Sequence, residues 1–187
     1  MTRPWSPEDR PGDQGRWEEL SRRTVYSAFG RSVVEVRYRL PSGEESTFSL
    51  RDDRPNVAVL AVTTAGELLV TRQFRPGPGR FVFELPGGYV DVGETPLIAA
   101  ERELLEETGY SGDLEVVGHC FADSYSSSVK FCAVARDCTP VRPPNPESTE
   151  FIEVLNVSPQ QLRLLLRAGD VTDVDLAYMG LDALGLL

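Results

Sequence analysis

The sequence predicts an α/β layered domain preceded by a small antiparallel β-sheet. Apolar residues come in short blocks of strand length. One segment, 95–109, carries a complete set of helix start and stop signals. Strand-like and helix-like segments are interleaved along the chain rather than segregated, the pattern of layered α/β folds.

The elements follow in order. Residues 1–15, rich in Pro, Gly and charge, are expected to form a disordered tail. Thr24 to Phe29 is a short strand. Val34, Val36, Tyr38 and Leu40 alternate with Glu35, Arg37 and Arg39, as in a half-buried strand. Pro41-Ser42-Gly43 turns the chain, and Ser46 to Leu50 returns. Residues 16–54 therefore make a small sheet that needs a partner surface, and residues 55–187 make the main domain. Within the latter, Val57 to Val62, Leu68 to Arg72 and Phe81 to Leu85 read as strands. Thr95 is an N-cap, Pro96 suits the first helical position, and Gly109 stops the helix after Thr108. Leu114 to Phe121, Val129 to Ala135 and Phe151 to Val157 are further strands, with a Pro-rich loop over 137–150. Ser158 caps a helix to Arg167, and a last helix spans Val174 to Leu184.

Composition narrows the function. Nineteen Lys and Arg against 29 Asp and Glu leave a net charge of −10. That field repels phosphate polymers and anionic lipid, so neither nucleic acid nor membrane is an expected partner. Any phosphate chemistry needs a cation or a local Arg cluster. Three Cys without a paired spacing, Cys120, Cys132 and Cys138, fit reduced thiols in a cytoplasmic protein. A single His, His119, excludes multi-His zinc sites.

The chemistry concentrates between Gly88 and Tyr110. On a helical wheel Leu97, Ile98, Leu104 and Leu105 share one side, and Glu103, Glu106 and Glu107 share another. Three carboxylates at these spacings repel one another and invite a hard cation such as Mg²⁺ or Mn²⁺. A solvated acidic face is the alternative that the helix alone would allow. The wider pattern is more specific. Gly88 is followed after five residues by Glu94. Seven residues later come Arg102, Glu103 and Leu104, then Glu106, Glu107, Gly109 and Tyr110. This stretch resembles the Nudix box at every specified position.

The resemblance implies a Nudix-type α/β/α sandwich with a mixed sheet, in which the box forms loop–helix–loop. It implies metal-dependent cleavage of the diphosphate in a nucleoside diphosphate linked to another moiety, with Mg²⁺ as cofactor and Mn²⁺ as a substitute. The metal ligands would be Glu103, Glu106 and Glu107, joined by the Gly87 carbonyl. Arg102 would orient a glutamate, and Glu94 would support the loop. The general base is not named by the box. In similar enzymes acting on ADP-ribose it lies in a later loop, which here offers Glu150, as base or further metal ligand, and Glu147.

Gln73-Phe74-Arg75 and Glu84-Leu85-Pro86-Gly87-Gly88 resemble the ADP-ribose pyrophosphatase branch. In that branch the leading sheet packs against or swaps with a second subunit, which implies a homodimer. Arg75 is then a clamp for phosphate or terminal ribose and Glu84 an acceptor for a sugar hydroxyl, with Arg54 and Arg72 as further substrate-binding candidates. Phe29 is read as a core residue, with stacking on a base across the dimer as its alternative. One departure stands out: members selective for ADP-ribose carry a Pro shortly beyond the box, where Tyr125 and Ser126 stand here. Other nucleoside diphosphate sugars therefore enter the expected range. The competing readings are a triphosphate or dinucleotide pyrophosphohydrolase and a non-catalytic nucleotide-sugar sensor. Intact box glutamates and the absence of a basic DNA-binding appendage weigh against the sensor.

Overall fold

The computed structural model describes residues 15–187, so nearly all of the expected tail lies outside the described residues. Two compact units are present, one ending at Asp53 and one spanning Arg54–Leu187.

In the first unit β1 (Glu18–Ala28), β2 (Arg31–Arg39) and β3 (Glu45–Arg51) form an antiparallel sheet in that order. The first strand starts earlier than apolar alternation predicts. Most of its added residues are charged, and some of them pair across the ladder, as Glu18 does with Arg39 at 2.6 Å and Arg23 with Glu35. Ion pairs on an exposed strand leave no hydrophobic period to read. Phe29 is not a core residue. It sits with Gly30 in the two-residue turn between β1 and β2, both at positive φ (53° and 75°), and is 93% exposed. A tight hairpin whose twist matches its strands demands this backbone at both turn positions.

The second unit is a sandwich. Its mixed sheet runs β10-β5-β4-β9-β8, formed by β4 (Asn56–Thr63), β5 (Leu68–Arg75), β8 (Tyr110–Phe121), β9 (Val129–Pro140) and β10 (Glu153–Val157). β4 and β9 are parallel, and the other neighbours in this row are antiparallel. β4 and β5 pair only at Ala61 and Val62, next to their turn, and then part. Beyond that point β6 (Arg80–Glu84) pairs with β5 and β7 (Gly87–Tyr89) pairs with β4. The sheet thus forks, and the Glu84 to Gly88 segment lies in the fork.

Helix α1 (Pro96–Thr108) covers one face through Val57, Val59, Leu69, Ala99, Ala100 and Leu104. Helices α2 (Pro159–Ala168) and α3 (Val174–Ala183) cover the other through Leu60, Val70, Val134, Leu162 and Leu176. Thr95 accepts from the Ile98 N–H at 3.3 Å, and Gly109 closes α1 at φ 76°.

Three expectations need correction here. The buried stripe of α1 is Ala99, Ala100, Leu104, Glu107 and Thr108, while Leu97 and Ile98 are 36% and 50% exposed. Small residues let the helix approach the sheet, and the two bulky ones near its start point away. The strand expected to end at Ala135 continues to Pro140 through a bulge, where Asp137 adopts φ 53° and the register with β4 shifts. The last sheet strand starts at Glu153, not Phe151, whose ring is exposed. Among the described residues no helix is long and apolar enough to cross a membrane.

Candidate active site

Arg102 organises the box. Its Nε and Nη2 donate to the two oxygens of Glu94 at 2.9 and 3.0 Å, a bidentate pair that ties the loop before α1 to the helix. Nη2 also donates to the Tyr89 carbonyl at 3.0 Å, and Nη1 bridges Glu103 at 2.7 Å and Glu106 at 3.4 Å. Glu94 in turn accepts from the Asp91 N–H at 3.1 Å, which completes the loop turn. Arg102 therefore has no donor direction left for a substrate without breaking this set.

Glu107 is the most buried carboxylate of the helix, at 2% exposure. Its Oε2 accepts from the Gly87 N–H at 2.9 Å, so α1 is fastened to the glycine strand in the fork. Burial pushes its carboxyl up to about 8, and the nearby charges of Glu103, Glu150 and Glu84 push the same way. Glu103 is raised too, first by burial, although Arg102 opposes this. The glycines are required by space. A Cβ on Gly87 would stand 2.2 Å from the Val57 carbonyl oxygen, and one on Gly88 would stand 2.3 Å from Oε1 of Glu103.

The long loop is fastened to the end of the same helix. The Val141 and Arg142 N–H groups donate to the Gly109 carbonyl at 2.9 and 3.3 Å, and the Asn145 N–H donates to the Glu106 carbonyl at 2.7 Å. A further turn, in which Glu150 Oε2 accepts from the Glu147 N–H at 3.1 Å, ends the loop. This brings Glu150 near enough to raise the carboxyls of both Glu103 and Glu107.

The Arg candidates separate. Arg75 Nε donates to Glu84 Oε2 at 2.8 Å. Both belong to the fork, Arg75 on β5 and Glu84 on β6. Arg54 lies over the Tyr89 ring and pairs with Asp91 at 2.8 Å, beside the box loop. Arg72 stands one residue out of phase with Thr71 and Gln73, hence on the opposite face of β5. Glu153 and the Phe81 ring hold it there.

Sequence reasoning missed Thr172 and Asp173. Segment 170–172 pairs with β6 through Phe83 N–H to the Asp170 carbonyl at 2.8 Å and Thr172 N–H to the Phe83 carbonyl at 3.1 Å. This places the Thr172 hydroxyl 3.0 Å from Glu84 Oε1. No local motif announces such a contact, because it joins residues 88 apart in sequence.

Among the described residues no three carboxylate, imidazole or thiol groups converge closely enough to hold an ion as they stand. The donor chemistry nonetheless fits a hard divalent cation. Glu103 and Glu107 of α1 are both raised, first by burial and then in part by the charge of Glu150 from the 147–150 turn, and a cation relieves such crowding of acidic groups.

The NUDIX domain family model matches residues 52–174. The chain is 30% identical over 162 residues to an ADP-ribose pyrophosphatase of Bacillus subtilis, covering 85% of this chain and 88% of that one. It is 29% identical over 163 residues to an ADP-sugar pyrophosphatase of Mus musculus, covering 83% and 73%. A solved ADP compounds hydrolase superposes with a TM-score of 0.72 over 91% of this chain and 97% of that one; at 23% identity it shows a shared fold.

Proposed function

Since the chain belongs to the Nudix hydrolase family, we propose that it hydrolyses the diphosphate of nucleoside diphosphate sugars, ADP-ribose foremost, to a nucleoside monophosphate and a sugar phosphate. The observation that carries this reading is the buried Glu107 carboxylate, locked to the Gly87 N–H and crowded by Glu103 and Glu150. A carboxyl that burial and neighbouring acidic groups keep protonated up to about pH 8 is one that a bound divalent cation would ionise, which supports a cation held between this cluster and a diphosphate.

Nudix hydrolases generally use such a cation. Glu103, Glu106, Glu107, Glu150 and the Gly87 carbonyl would hold it, with Mg²⁺ as the proposed metal and Mn²⁺ as its substitute. When bound, it supplies charge neutralisation for the diphosphate and acidifies an attacking water. The chain's own residues do the rest. Arg102 fixes the direction of Glu103 and Glu106 and keeps the box loop closed onto α1. Glu150 is the proposed general base, in reach of the acidic cluster from a loop anchored to Gly109 and Glu106. Arg75 offers its remaining guanidinium N–H groups to a phosphate or terminal ribose, and Glu84 offers its free lone pairs to sugar hydroxyls. Arg54 is a secondary candidate beside the box loop; Arg72 is the weakest, given its face.

The test is a hydrolysis panel in Mg²⁺ and in Mn²⁺, with ADP-ribose, other nucleoside diphosphate sugars, dinucleotides and nucleoside triphosphates. The expected result is the highest kcat/KM for ADP-ribose, with the triphosphates lower by at least about a hundredfold. A triphosphate preference would overturn the assignment.

The β1–β3 sheet is proposed to make a homodimer contact in a cytoplasmic protein. The exposed Tyr26 and Phe29 of the β1–β2 hairpin and the three free thiols support this. Light scattering should then give about twice the chain mass of 20.7 kDa. A mass of one chain at micromolar concentration would rule the contact out.

A further inference from the structure

Glu84 receives two donors in the fork, Arg75 Nε on Oε2 at 2.8 Å and the Thr172 hydroxyl on Oε1 at 3.0 Å. Each oxygen therefore keeps one lone-pair direction free, and the two donors together fix where those directions point. Thr172 is itself held from three sides. Its N–H donates to the Phe83 carbonyl, and the neighbouring Asp170 accepts from Arg80 at 2.7 Å and, through its carbonyl, from the Phe83 N–H. The Thr172 hydroxyl also lies 3.2 Å from Oδ2 of Asp173.

A hydroxyl has one proton, and here it faces two carboxyl groups. With both ionised, it can satisfy only one and turns a lone pair toward the other. A single proton on Asp173 completes a chain in which Asp173 donates to Thr172 and Thr172 donates to Glu84. The groups that face Asp173 are Lys130 of β9 at 3.9 Å, Asp175 of α3, Glu84 of β6 and the Cys120 thiol of β8. Lys130 is mainly engaged by Asp175, at 2.7 and 3.0 Å. Burial outweighs its pull and raises the Asp173 carboxyl to about 6.

We propose that Thr172, backed by Asp173, is a positioning residue for substrate. It holds Glu84 against Arg75 so that the Glu84 carboxylate presents its free lone pairs to the sugar hydroxyls of a nucleoside diphosphate sugar. This deepens the reading of Glu84 given above and rests on it. Thr172 touches no reacting atom, so its effect falls on binding rather than on the chemical step.

The test is calorimetric binding, in Mg²⁺ at pH 5.5 and 7.5, of an ADP-ribose analogue whose diphosphate bridging oxygen is replaced by a methylene, so that no turnover interferes. Thr172→Val should weaken Kd about tenfold at pH 5.5, the loss of one donor to a charged acceptor. Thr172→Ser, which restores the hydroxyl, should recover to within about threefold. Wild-type binding should weaken from pH 5.5 to 7.5 as Asp173 loses its proton. Asp173→Asn, whose amide still donates to Thr172, should remove that step and bind at pH 7.5 as tightly as at pH 5.5. Binding by Thr172→Val equal to wild type, while Glu84→Gln is impaired, overturns the inference and leaves the role of Glu84 standing. An Asp173→Asn profile that keeps the wild-type step also overturns it. Unimpaired binding by Glu84→Gln, or no binding of the analogue by the wild type in Mg²⁺, overturns the substrate reading itself and the inference with it.

Discussion

Glu107→Gln should lower kcat on the order of a thousandfold while leaving the metal-free protein at least as stable as wild type. The amide keeps the shape of the carboxylate and its carbonyl oxygen can still accept from the Gly87 N–H, so the fork keeps its fastening. What is lost is the charge. The stability arm follows from the sign of the shift. The folded protein holds the Glu107 proton up to about pH 8, whereas an unfolded glutamate releases it near 4.5. Stability from this group is full below about 4.5, declines as pH rises, and is lost once pH passes about 8. Removing the group removes that decline. In EDTA the melting temperature of the variant should therefore exceed that of wild type by a margin that grows from pH 5 to pH 8. Near-full activity in the variant would detach the chemistry from α1. A collapsed melting temperature would instead mean that the fastening, not the charge, was removed.

Gly87, just before the box, and Gly88, its first position, should fail in different ways. Gly87→Ala drives a Cβ to 2.2 Å from the Val57 carbonyl oxygen and 2.8 Å from the Ala58 Cα, both backbone atoms that cannot move without parting β7 from β4. A loss of about 3 kcal/mol is expected, which for a chain of this size lowers Tm by roughly 6–12 °C. Gly88→Ala meets only the far end of the Glu103 side chain, at 2.3 Å. That carboxylate can swing aside, so Tm should stay within about 2 °C of wild type. The displaced Glu103 then leaves the Arg102 bridge, and kcat/KM should fall on the order of tenfold to a hundredfold. Paired melting curves and kinetics distinguish the two. Equal effects of both substitutions on Tm would refute this account of the strand.

What the sequence discloses about this molecule depends on whether a feature is local. The limits of α1 are legible because Thr95, Pro96 and Gly109 each act within one helical turn. Its buried stripe is not, because Leu97 and Ile98 look like core while the sheet admits Ala99, Ala100 and the carboxylate of Glu107. Hydrophobicity cannot reveal a buried carboxyl whose partner is a backbone N–H across the fork. β7 escapes detection for a related reason: two of its three residues are glycines, selected for what they leave empty. The Arg75–Glu84 pair is not a cross-strand pair, since the register sets Glu84 opposite Thr71 and Arg75 opposite Arg80; Arg75 reaches back along one face to it, and sequence reasoning approached it only through the resemblance. The contact of Thr172 with Glu84 depends on how the α2–α3 connection docks on an edge strand, which no short pattern encodes.

The attachment of the 141–145 loop to Gly109 and Glu106 has a consequence for inheritance. Three backbone N–H groups hold the start of the loop to the end of α1, and none of them depends on which side chain the loop carries. Four residues then separate Asn145 from Glu150. Within that interval a lineage is free to lengthen, shorten or recolour the chain and so change the reach of its last carboxylate. The helix, its glycine stop and the charges upon it stay as they were. New preferences for substrate can in this way arise from small insertions downstream of a fixed anchor, without any redesign of the acidic helix.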